Sequence, residues 1–457
     1  MTRSQNWDGI GITVDLYSTS SYSCLFSDTI SGKLIIGGNH IYSNGIDYGG
    51  IATWNDSILI ALSGINGGID YQILGDNDGI VLDIIRYHDE IYACGVFLIA
   101  GNDTVNNIAK FDGSNWQPIK KGIDGVVNRL YIWNDTLYVG GVFTSVNNGE
   151  ILCNGIVKCD GNAYYNVPLI EPISNTIAIY SITSFQGCIF VGGNFSLNQN
   201  DLNVARLNGN QWESVGGGIH GGTDFVESMS VYNNELYIAG LFSLAHGNIG
   251  NFIQKWDGNV WKDVGGGVTG NTPQSNGQIH DLLVYQNYLW AVGVFKNAGG
   301  VPAKYIARWD GQNWCGFGSD FDNVIGVLGA FQNDLYIAGG FKQVDNNQNI
   351  KYIAKWIGGD FVDTCSTLSI ENDLISNENS IMLFPNPTHT SVNFDISIIL
   401  VNATLKLTDF IGKEIRMYKN LNGQKFSINI AELPPGIYLY SICEERQLVG
   451  KGKFVIE

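Results

Sequence analysis

The sequence lacks the patterns that mark several common classes of protein. No window of about 18 apolar residues occurs, so we expect no segment to cross a membrane as a helix. The eight cysteines include no Cys-x-x-Cys pair, which disfavours zinc ribbons and thioredoxin-like chemistry. The six histidines are scattered, with no two at metal-ligand spacing. Neither a Gly-x-Ser-x-Gly elbow nor a phosphate-binding loop is present. We therefore expect no resident cofactor.

Basic residues are also scarce. The chain has 25 Lys and Arg against 43 Asp and Glu. Its last 77 residues hold eight basic and seven acidic residues, so the remainder holds 17 and 36. Strong negative charge disfavours nucleic acid and anionic membrane surfaces as partners. It favours solubility in an extracellular medium, and it leaves cationic ligands or divalent ions as the alternative.

Residues 1–7 contain no apolar core of the kind that a signal peptide needs, so we expect a mature or trimmed form of the protein.

The most informative pattern present is a repeat of about 50 residues. Seven times an apolar strand runs into a glycine pair or a small-residue equivalent, as in residues 137–143 (LYVGGVF). The copies begin at Leu34, Ile91, Leu137, Ile189, Leu236, Leu289 and Leu335. A fixed period of this size indicates a solenoid, propeller or array.

Each copy has the parts of a four-stranded antiparallel sheet. An alternating strand ends in an aromatic residue and a polar turn such as Asn134-Asp135, and the glycine-ended strand follows. A third strand ends in Trp-Asp-Gly or a variant, and a fourth carries a Trp. Asp-Gly is interpreted as a turn signal, because glycine adopts positive φ without penalty. Such sheets bury both faces when they are packed radially.

These residues resemble the repeats of kelch-type β-propellers. The resemblance covers roughly residues 5–365 and implies an all-β, seven-bladed β-propeller over residues 1–365. Residues 5–11 look like a fourth strand that lacks the rest of its blade, and residues 360–363 offer a second candidate for the same place. The sequence leaves open which of the two closes the ring.

A different pattern follows the repeats. Residues 366–380 are polar and are interpreted as a linker. Residues 381–457 contain short alternating segments at 391–397, 403–409, 425–430, 437–443 and 447–456. About 77 residues of short strands and turns predict a small β-sandwich of the Ig-like kind.

Four ordered blocks in this segment resemble the C-terminal sorting domain of type IX secretion substrates, known from Bacteroidetes. The residues that carry the resemblance are Pro385, Asn386, Pro387, Asp409, Gly412, Lys413, Gly436, Tyr438, Lys451 and Lys453. The resemblance implies recognition by the type IX secretion machinery and a secreted or cell-surface location. Phe384 departs from the family's usual Tyr, and an additional Pro precedes Gly436.

The cysteines suggest at most one local bridge. Cys94 replaces the first glycine of a strand end and Cys159 replaces the Trp of Trp-Asp-Gly, so both are expected to be small buried residues. An oxidising exterior permits disulfides, and Cys153 with Cys159 is the only close pair.

One weak polar constellation emerges from the repeat alignment. The first strand of each blade should line the central channel. The position nine residues before the glycine strand holds Asn128, Tyr180, Glu227 and His280 in successive copies. Glu227 and His280 therefore fall in adjacent blades, where they could bind a polar ligand or do acid–base work. The alternative is that these are polar residues solvated in a wet channel.

The absence of a catalytic constellation favours an exported binding protein over an enzyme. Variable loops on a rigid scaffold, such as residues 144–152 and 342–351, favour glycan or protein recognition. The alternative function is a secreted hydrolase or lyase with a site at the channel mouth. Loops at residues 101–103 and 345–347 leave weak calcium binding open, although one carboxylate per loop is few for that ion.

Overall fold

We describe the protein from a computed structural model. The structure describes residues 6–10, 13–15, 24–43, 46–62, 69–70, 79–170, 177–197, 202–220, 224–270, 277–358, 381–384, 388, 390–409, 414–444 and 447–456. The chain divides into two compact units, Met1–Ser369 and Ile370–Glu457. The segment predicted as a linker, residues 366–380, lies outside the described residues.

The described residues of the first unit form seven four-stranded antiparallel sheets, numbered here in chain order of their first strands. Sheet 1 comprises Cys24–Asp28, Lys33–Gly37, Ile51–Trp54 and Leu59–Ala61. Sheet 2 comprises Ile80–Tyr87, Glu90–Val96, Ile108–Phe111 and Trp116–Pro118. Sheet 3 comprises Val126–Trp133, Thr136–Val142, Ile156–Cys159 and Tyr164–Tyr165. Sheets 4 and 5 comprise Ala178–Phe185, Cys188–Ser196, Leu202–Asn208 and Gln211–Ser214; and Phe225–Tyr232, Glu235–Leu241, Ile253–Trp256 and Trp261–Asp263. Sheets 6 and 7 comprise Gln278–Tyr285, Tyr288–Val294, Ile306–Trp309 and Trp314–Gly316; and Ile325–Phe331, Asp334–Gly339, Ile353–Trp356 and Trp7–Gly9.

Short elements lie between these sheets. Among the described residues, three small sheets have three strands each: Thr13–Asp15, His40–Ser43 and Ile46–Asp47; Ile69–Asp70, Ile99–Ala100 and Asp103–Thr104; and Val268–Thr269, Asn297–Ala298 and Val301–Pro302. A two-stranded ribbon pairs Ser145–Val146 with Ile151–Leu152. The helical structure in the described ranges is a single 3-10 turn, Leu244–His246. Within those same ranges, no helix is long and apolar enough to cross a membrane.

The seven sheets follow one another in a cycle. The first strand of each sheet lies beside the first strand of the next, and the first strand of sheet 7 lies beside that of sheet 1. This arrangement is propeller-like. The N-terminal strand Trp7–Gly9 pairs with Ile353–Trp356 as the outer strand of sheet 7. The sequence left open whether residues 5–11 or residues 360–363 supply the strand that closes the ring. Residues 360–363 lie outside the described residues.

Repeated polar contacts join neighbouring sheets. The hydroxyls of Tyr87, Tyr232 and Tyr285 donate to the carbonyls of Asp135, Asn287 and Asn333 in the hairpin turn of the next sheet. The indoles of Trp212, Trp261 and Trp314 donate to the carbonyls of Pro168, Val215 and Val264, each of which follows the preceding sheet. Each such bond contributes about 0.5–1.5 kcal/mol net, in addition to the burial of the ring. The aromatic residues that recur in the repeat therefore fill and join the spaces between sheets.

The Asp-Gly turns behave as the sequence predicts. Oδ1 of Asp257 accepts the backbone N–H groups of Asn259 and Val260, and Gly258 has a φ of 107°. Asp112, Asp160 and Asp310 accept the equivalent pairs of backbone N–H groups. The interpretation of Asp-Gly as turn chemistry is confirmed, because the aspartate stabilises the turn and the glycine adopts its left-handed backbone.

The bridge between Cys153 and Cys159 that the spacing left open is not formed. Cys153 and Cys159 are both free and buried. The extended strand Ile156–Cys159 alone carries Cys159 about 10 Å along the sheet at ~3.3 Å per residue, whereas a disulfide needs Cα atoms within about 7 Å. Burial raises the pKa of the Cys159 thiol to about 11. Cys94 and Cys159 are fully buried, as expected of small core residues.

The second unit is one five-stranded sheet rather than two separate sheets. Its strands are Ile381–Phe384, Ser391–Asp409, Glu414–Asn429, Gly436–Glu444 and Gln447–Ile456. The sequence predicts separate strands at 391–397 and 403–409, but these are the two ends of one 19-residue strand. Its register shifts between Asp395 and Leu405 against the third strand, which allows the sheet to curve around a single core. The expected sandwich is therefore replaced by a half-barrel.

Candidate functional site

In sheets 2 to 7, the glycine strand is paired with a bulge near the start of the first strand. A Cβ on Gly141 would lie 2.1 Å from the carbonyl oxygen of Val126, and a Cβ on Gly193 would lie 1.9 Å from that of Ala178. Gly95, Gly240, Gly293 and Gly339 meet the equivalent carbonyls at 1.9–2.3 Å. Only glycine permits this approach of two backbones. The repeated glycine is therefore explained by close backbone contact.

At each bulge one residue of the first strand has no partner in the pairing register. Register shifts separate Val127 from Arg129, Ile179 from Ser181, Val226 from Ser228 and Ile279 from Asp281. The residues left over are Asn128, Tyr180, Glu227 and His280, the four predicted channel candidates. Leu82 and Gly326 occupy the same place in sheets 2 and 7. A bulge re-aims a side chain, so the alignment had selected residues with a shared backbone geometry.

The structure brings Glu227 and His280 together. Nδ1 of His280 lies 2.9 Å from Oε1 of Glu227, and Nε2 of Gln278 donates to Oε2 of Glu227 at 2.7 Å. The side chains of His280 and Glu227 are 16% and 29% exposed. Burial alone would lower the pKa of His280, but the charge and hydrogen bond of Glu227 outweigh it, so the pKa lies above its ordinary value. The pair is a polar, partly solvated platform that spans sheets 5 and 6.

The other two candidates do not join that platform. Tyr180 packs edge-on against Phe225, with ring centroids 5.6 Å apart. Nδ2 of Asn128 donates to the carbonyl of Ile179 at 2.9 Å. Each contact joins one sheet to the next, so these two residues have structural partners.

In five of the six sheets with a bulge, the residue after it is polar, and the sequence analysis missed this second set of polar residues. Oδ2 of Asp83 accepts the N–H of Leu130, and Oδ2 of Asp281 accepts the N–H of Leu328. Burial alone would lower the pKa of Arg129, but the charges of Asp83 and Asp281 raise it above its ordinary value. Nη1 of Arg129 lies 3.9 Å from Oδ1 of Asp83. The same repeat alignment, taken eight instead of nine residues before the glycine strand, would have identified these residues.

A second histidine–carboxylate pair lies in the loops of sheet 5. Nδ1 of His246 lies 2.9 Å from both oxygens of Asp224, whose side chain is 2% exposed. Nδ2 of Asn248 lies 3.4 Å from Oδ2 of Asp224 and also donates to the carbonyl of His220. Sequence spacing gave no signal for this pair, because the two residues lie in different loops that only the fold brings together.

The described residues hold no evident metal site. No group of three or more His, Cys, Asp or Glu in those ranges could hold a metal ion. Asp345, in one of the two loops considered for calcium, instead accepts the N–H of Asp320 at 2.8 Å. Calcium binding therefore stays a prediction.

Five of the ten sorting-motif residues lie on described strands of the second unit. Asp409 ends one strand and pairs with Tyr438, whose hydroxyl donates to the carbonyl of Pro434 at 2.8 Å. Gly436 begins a strand opposite Ile456, and Lys451 and Lys453 lie on the last strand. Pro385, Asn386, Pro387, Gly412 and Lys413 lie outside the described residues.

The second unit matches a known family. Residues 382–457 match the family described as a secretion system C-terminal sorting domain. This domain indicates export by type IX secretion to the cell surface or beyond, and so implies interaction with that machinery. No curated protein matches the chain significantly.

Several solved structures are similar to the chain at low identity. The extracellular domain of a hybrid two-component system from B. thetaiotaomicron is 14% identical, with a TM-score of 0.43, and the match covers 97% of this chain and 56% of that one. PorZ, a surface component of the type IX secretion system of Porphyromonas gingivalis, is 12% identical, with a TM-score of 0.32 and coverages of 95% and 65%. The Bacteroides ovatus xyloglucan PUL protein GH43B is 12% identical, with a TM-score of 0.29 and coverages of 85% and 90%. This chain thus spans about half to two thirds of the first two, and such distant likenesses carry no inference about function.

Proposed function

We propose that this protein is an exported binding protein whose first unit is a closed, seven-bladed, kelch-like propeller. In this proposal, residues 1–365 recognise an extracellular glycan or protein, residues 366–380 are a linker, and residues 381–457 address the chain for secretion. The cyclic contacts of the seven sheets support a closed ring. The family match of residues 382–457 supports the role of the second unit.

The engagement of Glu227 is the observation that favours binding over catalysis. Both of its carboxylate oxygens are hydrogen-bonded, one by His280 and one by Gln278. These bonds direct one lone pair of each oxygen to a donor of the protein, so in this arrangement the carboxylate orients His280 and Gln278. Nε2 of His280 has no hydrogen-bond partner among the described residues, so it can bond to a ligand. The three side chains thus suit recognition of a polar group at the channel mouth.

Binding and turnover can be measured on the same protein. We expect the full chain to bind a glycan array or intact cells, and we expect a screen of glycosidase and lyase substrates to show no turnover. His280→Ala should weaken binding at least fivefold, because it removes the solvated ring nitrogen. His88→Ala is the matched control, since His88 is 56% exposed and also contacts a carboxylate, that of Asp135. Loss of binding in both variants, or in neither, would contradict the assignment to this site.

A hydrolase or lyase is the second candidate function. The 2.9 Å contact between Glu227 and His280 could also serve acid–base chemistry if substrate binding displaced Gln278. Turnover in the activity screen that disappears in Glu227→Gln would replace the binding proposal with this one.

A further inference from the structure

A cleft of about 340 Å³ opens between sheets 2 and 3, away from the Glu227 platform. Its apolar lining comes from Val96, Leu98 and Val126, and its polar lining includes Asn106, Lys121 and Asn148. At about 30 Å³ per water-sized group, this volume accommodates roughly eleven such groups. Ligand pockets in proteins begin at about this size. The cleft therefore suits one small ring or a side chain, and it is too small for an extended chain.

Two other sheets carry a larger side chain at the repeat position that lines this cleft. Val126 lies eleven residues before the glycine strand of its repeat, and Phe225 and Gln278 hold the same position in sheets 5 and 6. Phe225 packs against Tyr180, and Gln278 bonds to Glu227. In sheet 3 the smaller Val126 lines the cleft instead. Larger side chains therefore reach the preceding sheet at this position in sheets 5 and 6, whereas sheets 4 and 7 carry Ala178 and Val324 there.

The walls of the cleft are held in place before any ligand arrives. Nδ2 of Asn106 donates to the carbonyl of Lys121 at 2.7 Å. Asn107 accepts the N–H of Phe97 and donates to the carbonyl of Ile123, both at 3.0 Å. These bonds join the loop of sheet 2 to the segment that enters sheet 3. A preformed cleft saves the ordering cost that a mobile loop would add to binding.

The charged groups at the rim already have partners within the protein. The two oxygens of Asp124 accept bonds from the backbone and hydroxyl groups of Thr144 and Ser145. Nζ of Lys121 pairs with Glu150 at 3.2 Å. The side-chain amide of Asn148 has no hydrogen-bond partner among the described residues. The rim therefore offers neutral amide groups beside one carboxylate, whose hydrogen-bond donors are neutral.

We propose that this cleft binds a single neutral pyranose residue of an extracellular glycan. A pyranose has an apolar face of C–H groups and a rim of hydroxyls, which matches the aliphatic lining and the amide rim. Its ring and substituents also fit the volume. This inference rests on the proposed binding function and adds a location and a ligand class to it.

The test uses the full chain and a panel of methyl pyranosides: glucoside, galactoside, mannoside and N-acetylglucosaminide. We expect saturation-transfer NMR to show contact with the ring protons of at least one of them, at millimolar affinity. Val126→Phe should reduce that affinity at least tenfold, because it introduces the side chain that Phe225 supplies in sheet 5. Val284→Phe is the matched control, since Val284 is 41% exposed on a first strand and does not line the cleft.

The outcomes separate this inference from the proposed function. Binding of a pyranoside that Val126→Phe abolishes and Val284→Phe preserves supports it. A signal that is equal in wild type and Val126→Phe overturns it while the general binding function stands. Absence of any pyranoside signal also overturns it, and glycan-array or cell binding by the same preparation then shows whether the binding function survives. A second variant, Asn148→Gly, preserves the positive φ of 64° at that residue and should weaken binding by removing the amide.

Discussion

Trp7 lies against Trp356 with ring centroids 4.9 Å apart and planes at 64°, although the two residues stand at opposite ends of the first unit. Trp7 is fully buried, contacts Phe321 edge-on, and donates its indole N–H to Oγ of Ser319. An N-terminal strand of three residues is too short to be stable by itself. Its place in sheet 7 therefore depends on this indole.

Removal of the Trp7 side chain should destabilise the first unit strongly. We expect Trp7→Ala to lower the free energy of unfolding by about 3–5 kcal/mol, the range for truncating a buried aromatic residue, as measured by urea denaturation. Trp7→Phe should cost less, because it keeps most of the ring contacts. Ile58→Ala, at a site 56% exposed in sheet 1, is the surface control. A loss from Trp7→Ala within about 0.5 kcal/mol of that control would show that the strand does not hold sheet 7 together.

His280 should make the stability of the first unit depend on pH near neutrality. Burial would lower the pKa of His280 in the folded state, but the charge and hydrogen bond of Glu227 outweigh it and raise that pKa above its ordinary value. The stabilisation is therefore complete below the unfolded value of about 6.5 and is lost as pH rises through the higher folded value. We expect the urea midpoint of wild type, minus that of His280→Gln, to fall between pH 5.5 and 8.5. His88→Gln serves as the control, and a flat difference for His280→Gln would contradict the expectation.

The free thiols should be chemically silent until the protein unfolds. Burial raises the pKa of Cys153 to about 12 and that of Cys159 to about 11, so neither forms a thiolate at pH 8. We expect slow reaction with a disulfide reagent in the native state and rapid reaction of both in guanidinium. Cys188 and Cys443 are only partly buried and should react earlier. A Cys153–Cys159 linked peptide in non-reducing mass spectrometry would be inconsistent with this result.

Deletion of residues 381–457 should block export without unfolding the first unit. The deleted segment contains the matched sorting domain, whereas the clusters of buried residues in the seven sheets lie in the first unit. We expect the shortened chain to stay in the periplasm of the native host with an unchanged β-type circular-dichroism spectrum. Comparison of cell-surface and periplasmic fractions with the full chain measures this. Equal export of both chains would count against recognition through this segment.

Much of the fold could be predicted because the repeat imposes local constraints. Gly141 and Gly193 mark close backbone contacts, Asp257-Gly258 forms its turn from neighbouring residues, and Trp314 occupies a regular place in the repeat. Local backbone geometry follows from local sequence, so these features were visible without a structure. The half-barrel of the second unit was missed because a bent 19-residue strand has the same alternating pattern as two short strands.

The candidate sites were only partly accessible from sequence. The repeat alignment placed Glu227 and His280 at one structural position, because the bulge recurs at a fixed distance from the glycine strand. It could not show that Gln278 engages the second oxygen of Glu227, nor that His246 reaches Asp224. The first contact joins strands of sheets 5 and 6, and the second joins two loops of sheet 5, so their distances depend on how strands and loops pack.

The sequence by itself determined that this is an all-β protein of about seven sheet-forming repeats with a C-terminal sorting domain. Period, turn residues and motif order are local properties, and each has a direct conformational cause. Only the tertiary structure decided that Trp7 enters sheet 7, that Cys153 and Cys159 stay apart, and that a cleft lies beside Val126. These features depend on distances between residues far apart in the chain, and side-chain packing sets those distances when the sheets assemble.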